Sequence, residues 1–272
     1  MADIKQWFMS IPVITRYWFG LSFVIPVLGR IGLFNPYHMF MTKDAIWKLE
    51  LWRPFTGTFY YPIGPGTGFH YLINLYFLYQ YSKNLETSEF VGKPADYLFM
   101  LIFNWSSLVL MAVFMNIYLL MDPLILSVLY VWCQLNKETI VSFWFGTRFK
   151  AQFLPWVLLG FNMILGGGGF FEILGILTGH LYYYVKYVYP RDQGGSELIT
   201  TPSILYRFLP SYTPMRSTTG FLSFPTASSI RSQRNPFSSN NPSSSSSSSR
   251  HHRVIIGVAV DMFSVVIDQN FS

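Results

Sequence analysis

Apolar residues in this chain come in long runs, broken by short polar or Gly/Pro-rich stretches. A helix needs about 20 such residues to cross a ~30 Å hydrocarbon layer, and six runs are candidates. The first covers residues 17–33. The second covers 55–81 but is interrupted by "PIGPGTG" at 62–68, so its helix is expected to begin near Phe69. The run at 97–115 is the clearest. A fourth begins at Asp122-Pro123, which reads as an N-cap followed by proline at the first helical position. The fifth, 153–165, and sixth, 170–185, are short. At 1.5 Å per residue they reach only about 20 and 24 Å. That shortfall predicts local bilayer thinning or shielding by neighbours, with a re-entrant pair as the alternative.

Composition strengthens this pattern. Of 272 residues, 51% are hydrophobic, 19% aromatic and only 12% charged, against roughly 25% charged in soluble domains. A soluble fold of this length would lack the polar surface to cover its core, so the sequence predicts an all-α membrane protein. The net charge of +6 matters through its placement. Lys5, Arg16, Lys83, Lys93, Lys137, Arg148, Lys150 and every cation from Lys186 onward fall on the side of the termini. Arg30, Lys43, Lys48 and Arg53 fall on the other, and the loops at 116–121 and 166–169 carry none. An even number of spans with this bias places both termini in the cytosol. No cleavage pattern follows the first run, which is therefore expected to be an uncleaved anchor.

The composition shifts at residue 191. Residues 1–190 read as the membrane domain, and 191–272 as a largely disordered cytosolic tail rich in Ser, Pro and Arg, including "SSNNPSSSSSSSRHHR" at 238–253. The apolar stretch at 254–267 is too short for a comfortable span and contains Asp261. The single cysteine, Cys133, excludes an internal disulfide and reads as an inert buried thiol.

Chemistry-bearing residues are few. Polar groups inside a bilayer line bundle interiors or wet grooves. His70, Asn74 and Tyr81 share one face of the second run at i, i+4 and i+11, and Asn162 lies in the fifth. Two readings stand: ordinary interhelical hydrogen bonds, or a hydrophilic groove between spans two and five. Gly175 and Gly179 form a GxxxG on the sixth run, which lets helix backbones approach closely. Glu172 lies on the same stripe and is expected at the outer end of a polar cavity. Trp52 and Arg53 stand in the loop after the first span, with Glu50 and Pro54 as local cap and turn residues. There an interfacial anchor is the simplest reading. No metal site, cofactor site or nucleic-acid surface is discernible, and "GGGG" at 166–169 lacks the Lys-Ser/Thr of a phosphate loop. A small-solute transporter is disfavoured by the lack of an internal repeat.

Seven stretches taken together carry a resemblance. These are "WR" at 52–53, "GPGTGF" at 64–69, "NLYFLYQYS" at 74–82, "PADYLFMLIFNW" at 94–105, "SVLYVWCQLN" at 127–136, "FWFGTRFKA" at 143–151 and "GHLYYYV" at 179–185. The chain resembles the derlins over roughly residues 1–214. The resemblance implies a six-helix rhomboid-like bundle without protease activity, and Trp52-Arg53 matches the Trp-Arg motif of that superfamily. It also implies residence in the endoplasmic reticulum membrane and a part in retrotranslocating misfolded proteins for degradation. The implied partners are misfolded substrates, an ER-membrane ubiquitin ligase complex, a cytosolic AAA segregase ATPase and further derlin subunits. After about residue 215 the short Gly-containing aromatic motif that engages the ATPase is not found, which puts direct tail contact in question. The competing class is an active rhomboid-type serine protease. It needs an activated serine flanked by glycines and a histidine. His180 is available, but Ser127 in "PLILSVLYV" has no flanking glycine. His180 is accordingly expected to be a packing residue with a hydrogen bond.

Overall fold

The structure is a computed structural model. It describes residues 2–33, 39, 40, 50, 52–115, 117, 119–142, 147–164, 169–192 and 198–211. Residues 1–141 and 148–214 form one compact unit. The other unit, residues 142–147 and 215–272, contributes only Ser142 and Thr147 to the described set. The expectations for Lys43, Lys48 and the tail beyond residue 211 lie outside the described residues.

Each of the six apolar runs becomes a helix, and among the described residues four shorter helices precede, join or follow them. A short helix α1 (Ala2–Ser10) leads through Pro12 into α2 (Val13–Ile31). Gly32 ends α2 at φ +85°, where its N–H and that of Leu33 reach back to Gly29 O and Leu28 O at 3.1 and 3.2 Å. A side chain at this left-handed position would be strained, so glycine is the natural stop. Helix α3 (Trp52–Phe59) occupies part of the loop after α2. Its Pro54 is therefore a first-turn residue, where a missing N–H is harmless. The "PIGPGTG" break is a turn held by Thr67, whose Oγ1 donates to Pro62 O at 2.9 Å and accepts from Gly64 N at 2.8 Å. Helix α4 (Gly68–Asn84) follows and runs on through a π-helical turn to Glu89.

Helix α5 (Pro94–Met115) is, among the described residues, the one helix that combines the length and apolarity needed to cross a bilayer. Only 22% of its most apolar stretch is buried, so most of its hydrocarbon faces outward. A soluble core helix would show the opposite. Helix α6 (Met121–Leu135) is the centre of the bundle, buried from Met121 to Cys133 apart from the half-buried Asp122. Its cap differs from expectation. Leu120 is the N-cap residue and Asp122 already lies in the first helical turn. The Asp122 side chain serves another helix instead, as described below.

A two-stranded ribbon, β1 (Ile140–Ser142) and β2 (Arg148–Lys150), leads through a 3-10 turn into α7 (Leu154–Ile164). Helix α8 (Phe170–Tyr183) continues through a second π-helical turn into α9 (Tyr189–Asp192). With 11 residues α7 rises about 16 Å, short of a ~30 Å hydrocarbon layer, whereas residues 170–192 run as one unbroken helical stretch of 23 residues and reach that length, so the sixth run is longer than the sequence suggests.

Residues 198–211 depart from the tail boundary expected at 191. They form α10 (Ser203–Phe208), held against α5. Asp96 Oδ1 accepts the hydroxyls of Thr201 and Tyr206 at 2.6 and 2.5 Å, and Lys186 Nζ donates to Ile199 O at 3.1 Å. Specific polar contacts thus hold a short apolar segment that lies within a tail otherwise rich in Ser and Pro. Thr201→Val combined with Tyr206→Phe removes both donors. Limited proteolysis should then cleave at 198–211 several-fold faster, with the bundle itself intact.

The end of the bundle near the first residues is locked by a buried carboxylate. Glu86 accepts Ile14 N at 3.0 Å and, through Oε2, Thr15 N at 2.8 Å and Thr15 Oγ1 at 2.7 Å. Ser82 Oγ joins Thr15 Oγ1 at 2.7 Å and Tyr97 Oη at 2.6 Å. Ile14 and Thr15 carry two of the four N–H groups that open α2, which lack intrahelical partners. A carboxylate there also meets the positive end of the helix dipole.

Candidate functional site

The opposite ends of the helices meet in a polar pocket. Four elements converge: α4 through Asn74, the first turn of α6 through Asp122, the last turns of α7 through Asn162, and the first turn of α8 through Glu172. Together with Phe77, Ile125, Leu126, Leu129 and Leu158 they line a small, partly open pocket with free room on the scale of a single water molecule. Asn74 Nδ2 donates to Asp122 Oδ1 at 2.7 Å, and Asn162 Nδ2 donates to Glu172 Oε1 at 2.9 Å. Each carboxylate therefore has an amide from a different helix. Each also sits in a first helical turn, where the helix dipole favours negative charge.

His70, one turn before Asn74, borders this group. Its Nδ1 is hydrogen-bonded to Tyr61 Oη at 2.8 Å and lies 3.3 Å from Asn74 Nδ2. With both neighbours donating to Nδ1, the ring proton belongs on Nε2. That nitrogen is buried without a hydrogen-bond partner, as is Glu172 Oε2.

Of the polar residues read from the sequence, Asn74, Asn162 and Glu172 come together here, with His70 at the margin. Tyr81 and His180 do not. Tyr81 shares the face of Asn74, but seven residues place it about 10 Å further along the axis. It packs edge-on against Trp132, with ring centroids 4.9 Å apart. His180 lies two turns beyond Glu172 and bonds Tyr130 Oη through Nδ1 at 2.8 Å. Asp122 was missed as a site residue because local rules assign it a cap.

The two glycines of α8 set the depth of the site. A Cβ at Gly175 would lie 2.5 Å from Pro123 O, and one at Gly179 would lie 2.6 Å from Ser127 O. Helix α8 is thus in backbone contact with α6, its principal neighbour, and this brings Glu172 beside Asp122. The same contact bears on nucleophilic chemistry. Ser127 is fully buried, and its Oγ donates to Leu124 O in its own helix at 2.7 Å. With His180 committed to Tyr130, no hydrogen bond joins Ser127 to His180.

Trp52 and Arg53 lie apart from this pocket, at the start of α3. Trp52 is 60% exposed, which leaves its indole at the surface. Arg53 forms an ion pair with Glu50 and its Nη1 donates to Phe40 O at 3.5 Å. Glu50 is thus the partner of Arg53, and Glu50 O accepts Arg53 N at 3.1 Å. Helix α3 is tied to the bundle through Trp105 Nε1, which donates to Thr58 Oγ1 at 2.8 Å, and through Leu120 N, which donates to Gly57 O at 3.3 Å.

Comparison with known proteins points the same way along the whole bundle. The profile of the Der1-like family matches residues 11–203. Derlin-1 of Homo sapiens is 58% identical over 212 residues, covering 78% of this chain and 84% of the human protein. Derlin-1 of Caenorhabditis elegans is 53% identical over 209 residues, covering 76% and 85%. Derlin-1 of Drosophila melanogaster is 43% identical over 209 residues, with the same coverage. The matched region contains every helix from α2 to α9, the four-helix pocket and the Trp52-Arg53 pair. The chain belongs to the Der1-like family.

Proposed function

We propose that this chain is a non-catalytic component of endoplasmic-reticulum-associated degradation that helps misfolded proteins cross the membrane to the cytosol. Family membership supports the role in that pathway and a place in the endoplasmic reticulum membrane. In this reading α2, α4, α5, α6, α7 and α8 are the six spans and both termini are cytosolic. The polar pocket then lies at the lumenal ends of α4, α6, α7 and α8, between spans two and five.

The observation that carries the reading is the convergence of Asn74, Asp122, Asn162 and Glu172 at one end of the bundle. Each unpaired backbone N–H or C=O of a polypeptide costs several kcal/mol in hydrocarbon. Buried amides and carboxylates beside the undersized α7 lower that barrier without breaking a covalent bond. The commitment of Ser127 and His180 to other partners supports a non-catalytic role over an intramembrane serine protease. The ubiquitin ligase complex, the AAA segregase ATPase that supplies the pulling force, and further derlin subunits are the partners proposed with it.

The test replaces Asn74 and Asn162 together by leucine. Clearance of a misfolded lumenal protein in derlin-depleted cells should fall about tenfold relative to the rescued wild type, for a rise of about 1.4 kcal/mol in the passage barrier. Normal clearance by a correctly assembled double variant rejects the groove. The same rescue with residues 1–214 alone measures what the tail adds.

A further inference from the structure

The pocket holds two carboxyl groups for which its own residues provide no cation. Asp122 and Glu172 both line it, and among the described residues neither forms an ion pair with Lys, Arg or His. Glu172 is only 4% exposed. One of its carboxylate oxygens is held by Asn162, and the other, Oε2, is buried with no hydrogen-bond partner. Asn74 leaves the second carboxylate similarly half-used, bonding Oδ1 of Asp122. His70 is near enough to feel Glu172 electrostatically yet makes no ion pair with it. Tyr61 and Asn74 hold its Nδ1 side.

Buried carboxylates are normally paired or bound to a cation. Dipoles at the starts of α6 and α8 explain part of their tolerance here, but a dipole does not satisfy the open oxygen of Glu172. The lining supplies the rest of a cation's requirements. Phe77, Leu126, Leu129 and Leu158 give a hydrocarbon wall for an aliphatic stem, and the carboxylates lie at its polar end. A lysine or arginine side chain extends its methylenes along apolar surface and seeks oxygen with its head, and to enter here it must part the lining residues.

We infer that the pocket selects substrates by a basic side chain: the lysine or arginine of a membrane-embedded segment inserts between Asp122 and Glu172. The inference rests on the groove proposed above and adds a substrate class to it. An unpaired cation in a bilayer is itself unstable, and such a residue marks a segment that has failed to find its partner. The site exchanges that cation's poor solvation for a buried ion pair.

The experiment uses the full chain in microsomes of derlin-depleted cells. The probes are single-span reporters with lysine, leucine or glutamate at the centre of the same membrane segment, and capture is read by site-specific crosslinking. The wild type should capture the lysine reporter about tenfold better than its leucine twin, the scale of one matched buried charge pair. Glu172→Gln keeps an acceptor for Asn162 while removing the charge, and should bring the lysine-to-leucine ratio to near one. Asp122→Asn should lower it as well, and Glu172→Lys should favour the glutamate reporter. Equal capture of lysine and leucine by the wild type, or a preference that survives both neutral variants, overturns the inference. A lysine preference abolished by a metal chelator also overturns it, because the pocket would then bind a metal ion. Should the leucine reporter be captured in an Asn74- and Asn162-dependent way with no advantage for lysine, the charge selection fails and the groove stands.

Discussion

Alanine at Gly175 or Gly179 is expected to separate α8 from α6 and to destabilise the bundle by about 1–3 kcal/mol per site, with the double variant failing to assemble. The reason is geometric. The added Cβ would meet a backbone carbonyl oxygen at 2.5 Å in one case and 2.6 Å in the other, and neither Pro123 O nor Ser127 O belongs to a side chain that could swing away. Relief requires the helices to part. Because α8 carries Glu172 and α6 carries Asp122, parting them also opens the polar pocket. A control is available in α7, where a Cβ at Gly160 meets nothing within 4 Å. Gly160→Ala should leave the thermal midpoint of the detergent-solubilised protein unchanged, and Gly175→Ala and Gly179→Ala should lower it. Equal midpoints for all three would show that the close approach carries no load.

Glu86→Ala is expected to be the most damaging change at the other end, costing about 3 kcal/mol or more. Truncation strands two backbone N–H groups and a threonine hydroxyl that the carboxylate now accepts, all buried or partly buried. An orphaned buried donor costs roughly 1–3 kcal/mol, more when its partner was charged. Glu86→Gln keeps the size and one acceptor oxygen, so its loss should be about half as large. Because Thr15, Ser82 and Tyr97 share the network, Thr15→Val in the Glu86→Ala background should cost less than Thr15→Val alone. Thermal melts of the four proteins decide this. Strict additivity would mean that Glu86 acts alone.

The sequence made the helices legible because hydrocarbon imposes a simple rule: every backbone group is satisfied within a helix, so apolar runs become helices. The break at "PIGPGTG" followed from glycine and proline chemistry, whereas the stop at Gly32 lay inside the run read as 17–33. The GxxxG of α8 pointed to a close contact, though nothing in the pattern named α6 as the partner. What stayed hidden depends on distance in sequence. Glu86 acts on residues more than 70 positions away and has no local signature. Asp122 satisfied a capping rule so well that its bond to Asn74, 48 positions back, went unread. Periodicity gave Tyr81 the correct face of α4 but not its level, where Trp132 covers it. Residues 198–211 carry apolar residues at 204, 205, 208 and 209, a short stripe masked by the Ser- and Pro-rich tail around it, and Asp96 and Lys186 on other helices hold it.

The account turns on a polypeptide passing through the pocket between α4, α6, α7 and α8. Photo-crosslinkers at Phe77 and Leu158, which line it, and at Leu110, which lies 61% exposed on α5, compare the interior with the outer surface directly. With a misfolded substrate stalled by ATPase inhibition, Phe77 and Leu158 should crosslink to the substrate and Leu110 to lipid. Substrate adducts from Leu110 with none from Phe77 or Leu158 would contradict the account.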